Sequence, residues 1–187
     1  MVKKILQKEE KVLREIAKEI PIEKIPTPKI KKILTEMSLS LASQEDGVAI
    51  AAPQIGYSLR IFVVAGKIFQ KDFLDKRGRV TDGKKGKTGE IIKDLVFINP
   101  KITKLSRERE WMPEGCLSVR PLYGKTYRAK KATVEAYDET GKKFSRGGSG
   151  LLAQIFQHET DHLSGILFID HAKDVKEEQF LNDENED

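Results

Sequence analysis

Leu151-Leu152-Ala153-Gln154-Ile155-Phe156-Gln157-His158-Glu159-Thr160-Asp161-His162-Leu163 is the stretch on which the fold turns. Leu151, Leu152, Ile155 and Phe156 make it an apolar helix that is largely buried. Ser149 or Gly150 stands at its start, and Gly165, just past its end, suits the left-handed position that closes helices. One such helix after many short strands predicts an α+β fold, with short antiparallel β-sheets packed around a central C-terminal metal-binding helix.

The metal expectation comes from two of the chain's three histidines, His158 and His162, spaced four apart on this helix. At 3.6 residues per turn both imidazoles leave the same face, with Glu159 offset beside them, in the HExxH arrangement. Two imidazoles on an apolar helix cost free energy unless something satisfies them, which favours a shared ion over a chance pair. A catalytic site of this kind uses three protein ligands and leaves a position for water. Phe168 stands where a metzincin would place a third histidine. Glu177 or Glu178 is the thermolysin-like alternative, within an acidic terminus. Cys116, in Glu114-Gly115-Cys116-Leu117-Ser118, is the thiolate-capable candidate.

The 187 residues fit one domain, and 39% hydrophobic against 34% charged residues describes a globular chain with a very polar surface. No apolar run is long enough to cross a bilayer, and residues 1–16 lack a secretory apolar region, so a cytoplasmic protein without membrane contact is expected. A single cysteine excludes an internal disulfide. Charge divides unevenly: residues 171–187 hold two lysines against seven acids, while the chain as a whole is +5. The expected organisation is therefore one catalytic domain over residues 1–170 and an acidic tail over 171–187. The basic body would attract polyanions without specificity, and its spread lysines give no reason to expect a specific nucleic-acid partner.

Upstream, Thr27 reads as a cap and Pro28 as the first residue of an amphipathic helix carrying Ile30, Ile33, Leu34, Met37 and Leu41. Val12, Leu13, Ile16, Ala17 and Ile20 suit a helix that prolines 21, 26 and 28 break up. Leu59–Ala65, Leu95 to about Leu105, and Thr133–Tyr137 read as strands. Asp138–Gly141 reads as the turn of a hairpin into Lys142–Phe144. Asp75–Glu90 is glycine-rich and basic and reads as an exposed loop, since its glycines lack the spacing of a phosphate-binding loop.

Three segments together carry a family resemblance: Gly47-Val48-Ala49-Ile50-Ala51-Ala52-Pro53-Gln54, Glu114-Gly115-Cys116-Leu117-Ser118, and Gln157-His158-Glu159-Thr160-Asp161-His162. They resemble the three signature motifs of peptide deformylases, in the family's order. Weaker similarity covers about residues 12–170, and Leu117 after the cysteine is most like the bacterial and organellar branch. The resemblance implies that Cys116, His158 and His162 hold one divalent ion, ferrous iron first, with zinc, nickel or cobalt as alternatives. It implies hydrolysis of the N-formyl group from the first methionine of new polypeptides, releasing formate. Metal-bound water would attack the formyl carbonyl, Glu159 would serve as general acid and base, and Gln54 with the Leu117 N–H would stabilise the oxyanion. Val48, Ala49, Gly115 and Ile155 would bind substrate, with Val48 and Ala49 taking the peptide as an added strand. The partners implied are N-formyl-methionyl nascent peptides and, transiently, the ribosome. Asp161 is a candidate to orient a ligand imidazole, and Glu114 a candidate partner for Arg128. Trp111 reads as a packing residue and His171 as a surface one. Ala49, Arg120, Tyr123 and Gln154 depart from the usual pattern, all on the substrate side.

Overall fold

The computed structural model describes residues 1–70, 73 and 92–177; the Asp75–Glu90 segment, Glu178 and the last acidic residues lie outside that range. Helix α1 spans Pro28–Ala42 and α2 spans Gly150–His162. The strands are β1 (Ala49–Ala51), β2 (Ile61–Val64), β3 (Leu95–Leu105), β4 (Arg109–Gly115), β5 (Leu122–Ala129), β6 (Lys131–Tyr137), β7 (Lys143–Ser149) and β8 (Lys173–Glu177). Antiparallel pairing orders them β1-β2-β3-β6-β7 in one sheet and β4-β5-β8 in the other. Among the described residues, two α-helices and two antiparallel sheets make the α+β class that the apolar helix predicts.

The larger sheet is covered on both faces, which explains the unbroken apolar run of β2. Phe62 and Val64 point to the side of α2, where they meet Leu151, Leu152 and Phe156. Ile61 and Val63 point to the side of α1, against Ile30, Ile33, Met37 and Leu41. Phe62 stacks on Phe97 at 4.5 Å between centroids, and Phe156 meets Phe97 edge-on at 5.3 Å. These aromatic contacts anchor α2 to the sheet. Gly165, at φ 73°, closes α2: its N–H bonds to the His162 carbonyl, and the Ile166 N–H bonds to that of Asp161.

Several expectations need correction. Thr27 does not cap α1; its hydroxyl donates back to the Lys24 carbonyl at 2.7 Å. Residues 12–20 form only the 3-10 turn Lys11–Arg14 before the chain extends, with the Ala17 N–H bonded to the Leu163 carbonyl at 3.1 Å. Ile16 is accordingly exposed while Leu13, Ala17 and Ile20 are buried. Strands β4, β5 and β8 carry charged residues, a proline and two glycines where a strand pattern would be apolar, and their exposed face explains it. Because β8 pairs with β5, the smaller sheet continues past residue 170.

Candidate metal centre

Helix α2 presents His158 and His162 one turn apart, with ring centroids separated by 4.8 Å. The turn after β4 brings Cys116 to them, its Sγ 3.2 Å from His162 Nε2. The ligand atoms of Cys116, His158 and His162 all lie within 4.8 Å of one another, close enough for the three to share one ion. Among the described residues no other group of metal-ligating side chains converges in this way. Glu177 sits instead on exposed β8, opposite Leu122.

A buried carboxylate fixes the imidazole orientation. Glu114 Oε1 lies 2.7 Å from His158 Nδ1, which leaves the other ring nitrogen for an ion. Glu114 also accepts from Thr126 Oγ1 at 2.7 Å, from Arg128 Nη2 at 2.7 Å and Nε at 3.1 Å, and from Gln154 Nε2 at 3.0 Å. Burial alone would push its carboxyl up, but the facing His158 and the Arg128 guanidinium hold it well below the usual range. Asp161 does not orient a ligand imidazole; it pairs with Arg128 Nη1 at 2.7 Å and lies 3.7 Å from His171 Nε2, since its side chain leaves α2 on the side of the guanidinium. The predicted Glu114–Arg128 pair is thus present.

The donor set fits a metal. Burial holds the His162 imidazole well below its ordinary pKa, so it is neutral and able to ligate at physiological pH. Glu159 is buried beside it, and burial raises its carboxyl to about 7. Its Oε2 has no hydrogen-bond partner within the described residues, and neither does His162 Nδ1. Such a buried carboxylate oxygen lines the site without a structural pair among the described residues.

The 3-10 turn Ala52–Ile55 supplies Gln54. Its Oε1 accepts the Ala51 N–H at 2.8 Å, which points its amide outward to Ser118 Oγ at 3.0 Å and Cys116 Sγ at 3.6 Å. The Ser118 N–H also points at this sulfur, at 3.4 Å. The Leu117 N–H makes no backbone hydrogen bond within the described residues.

These groups open onto a cavity of about 280 Å³. Val48, Ala49, Gly115, Leu117 and Ile155 line it, together with Gln54, His158 and Glu159. The departures named from sequence line it too: Gln154 donates to Pro113 and Glu114, Tyr123 covers Gly115, and Arg120 bridges to Asp46 at 2.5 Å. Trp111 is half exposed and packs on Tyr127 under Lys173, while His171 is at the surface. Sequence reasoning missed the contact of Glu114 with His158 and the hydroxyl of Ser118; adjacency of both to Cys116 was the only available signal.

A family model described as polypeptide deformylase matches residues 2–178. Peptide deformylase 2 of Clostridium acetobutylicum is 41% identical over 169 residues, 90% of this chain and 94% of that protein. A solved peptide deformylase from Legionella pneumophila aligns with a TM-score of 0.73 at 34% identity, covering 93% of this chain and 88% of that one. The Met-Ala-Ser-bound class I type b peptide deformylase from Acinetobacter baumannii aligns with a TM-score of 0.75 at 27% identity, covering 91% and 99%. With the match running through nearly the whole chain and a Cys/His/His group at its centre, the chain belongs to the polypeptide deformylase family, the metallohydrolases that remove the N-formyl group from nascent polypeptides.

Proposed function

We propose that Cys116, His158 and His162 together hold one divalent ion, ferrous iron in the native enzyme, and that the cavity above them binds the formyl-methionyl end of a new chain. The convergence of one sulfur and two imidazoles beside a buried carboxylate carries this reading. When bound, such an ion lowers the pKa of a coordinated water toward neutrality and polarises a carbonyl oxygen. Glu159 takes the proton from the attacking water and passes it to the leaving amine nitrogen. The Gln54 amide and the Leu117 N–H donate to the developing oxyanion. The edge of β1, the end strand of its sheet among the described residues, suits strand addition by the substrate backbone at Val48 and Ala49, with Gly115 opposite and Ile155 against the methionine side chain. Ala49, where a second glycine is usual, narrows that passage.

The substrates are chains in the course of synthesis, so we place the enzyme in the cytoplasm, in transient contact with the ribosome and acting as one catalytic domain. Among the described residues no helix is long and apolar enough to cross a membrane.

Metal analysis of anaerobically purified protein, paired with a formate assay on formyl-Met peptides, tests the proposal. One metal per chain, formate release, and activity lost in air from the iron form but kept with nickel are expected. Cys116→Ala should lose the metal. A variant that keeps its metal, or a wild type that cleaves internal peptide bonds without releasing formate, would point to a glutamate-liganded peptidase instead.

A further inference from the structure

The N-terminal segment reaches both residues assigned to the oxyanion. The Leu6 N–H donates to the Gln54 carbonyl at 2.8 Å. One residue on, Gln7 Nε2 donates to the Leu117 carbonyl at 3.1 Å, with a longer approach of 3.4 Å to Ile5 O. The segment is itself held: Ile5 is buried, Leu6 packs in the apolar cluster that includes Cys116, and the Lys3 N–H bonds to Ser40 Oγ of α1 at 2.8 Å.

The Leu117 carbonyl shares its peptide unit with the Ser118 N–H, which points at Cys116 Sγ at 3.4 Å. Because a peptide unit is planar, fixing its oxygen fixes the direction of its N–H. A donor on the oxygen also polarises the unit and strengthens the hydrogen bond its N–H makes. Such N–H···S bonds tune the charge and donor strength of a ligating thiolate.

We infer that Gln7 is a positioning residue of the deformylase site: through the 117–118 peptide it aims the Ser118 N–H at the Cys116 sulfur. The inference rests on the reading of the site given above. It assigns to the N-terminal segment a role in the reaction beyond packing, and it requires a hydrogen-bond donor at position 7, not merely a side chain of that size.

The test compares Gln7→Ala, Gln7→Glu and Gln7→Lys with wild type, each cobalt-loaded and assayed with formyl-Met-Ala-Ser, alongside the sulfur-to-cobalt charge-transfer absorption and thermal unfolding. In Gln7→Ala and Gln7→Glu, kcat should fall about tenfold with KM changed by less than about twofold, and the charge-transfer band should shift. Gln7→Lys, which keeps a donor, should recover most of the rate and the wild-type band. The inference is overturned if Gln7→Glu keeps the wild-type kcat and band, or if all three variants lose rate equally with the band unmoved. Formate release by the wild type tests the deformylase reading itself; only the ratio of variant to wild type tests Gln7.

Discussion

Glu114 Oε1 sits 2.7 Å from His158 Nδ1, so a carboxylate on β4 decides which nitrogen of an imidazole on α2 faces the cavity. Glu114→Gln preserves shape and removes the charge that fixes this tautomer. Metal affinity is expected to fall about 10–100-fold, measured by chelator competition, and an unchanged affinity would show that the imidazole needs no such orientation.

Arg128 holds Glu114 and Asp161 at once, with its side chain and that of Glu114 only 7% and 3% exposed. Arg128→Met strands a buried carboxylate and should cost about 3–5 kcal/mol in denaturant unfolding of the zinc-loaded enzyme. Because the Glu114 pKa is depressed in the fold, its contribution to stability is present above the ordinary value of 4.5 and lost as pH falls through the lower folded value. The fall in stability on the acid side should therefore flatten in Glu114→Gln; an identical acid profile would remove the carboxylate from the account.

Glu159 must be ionised to accept a proton, so kcat/KM should fall as pH drops through its pKa. Burial sets that value at about 7 without an ion, and a neighbouring cation pulls it down, placing the acid limb below 7. Glu159→Gln should reduce kcat by about 10²–10⁴-fold while retaining the metal. Full metal occupancy with an unaltered rate would assign the proton transfer elsewhere.

Gly115 leaves room for the Tyr123 ring. A Cβ there would stand 2.3 Å from Tyr123 Cε1, so Gly115→Ala must displace a ring that lines the cavity. Peptide KM should rise more than kcat falls, measured with formyl-Met tripeptides; a fall in kcat alone would place the strain at the metal instead.

The centre was more legible in the sequence than the scaffold around it. His158, Glu159 and His162 announce themselves because a four-residue spacing on an apolar helix has few other uses, and the Gly165 closure follows from backbone sterics. The two-sided burial of Ile61–Val64 likewise writes itself as an unbroken apolar run. Strands β4, β5 and β8 leave no such trace, since one face is open to solvent and Glu114, Thr126 and Arg128 fill the other with a polar network. Asp161 was a natural candidate for imidazole orientation by adjacency, yet only the tertiary arrangement shows that Arg128 claims it and that Glu114 has the role. Gln7 lies 110 positions from Leu117 in the chain, a distance no local pattern spans.

X-ray absorption at the metal edge of the anaerobically purified enzyme tests the central claim most directly. One sulfur at about 2.3 Å and two imidazole nitrogens at about 2.0–2.1 Å, with a light oxygen scatterer in addition, are predicted. A shell without sulfur, or one closed by four protein ligands, would contradict the assignment of Cys116, His158 and His162 as an open catalytic centre.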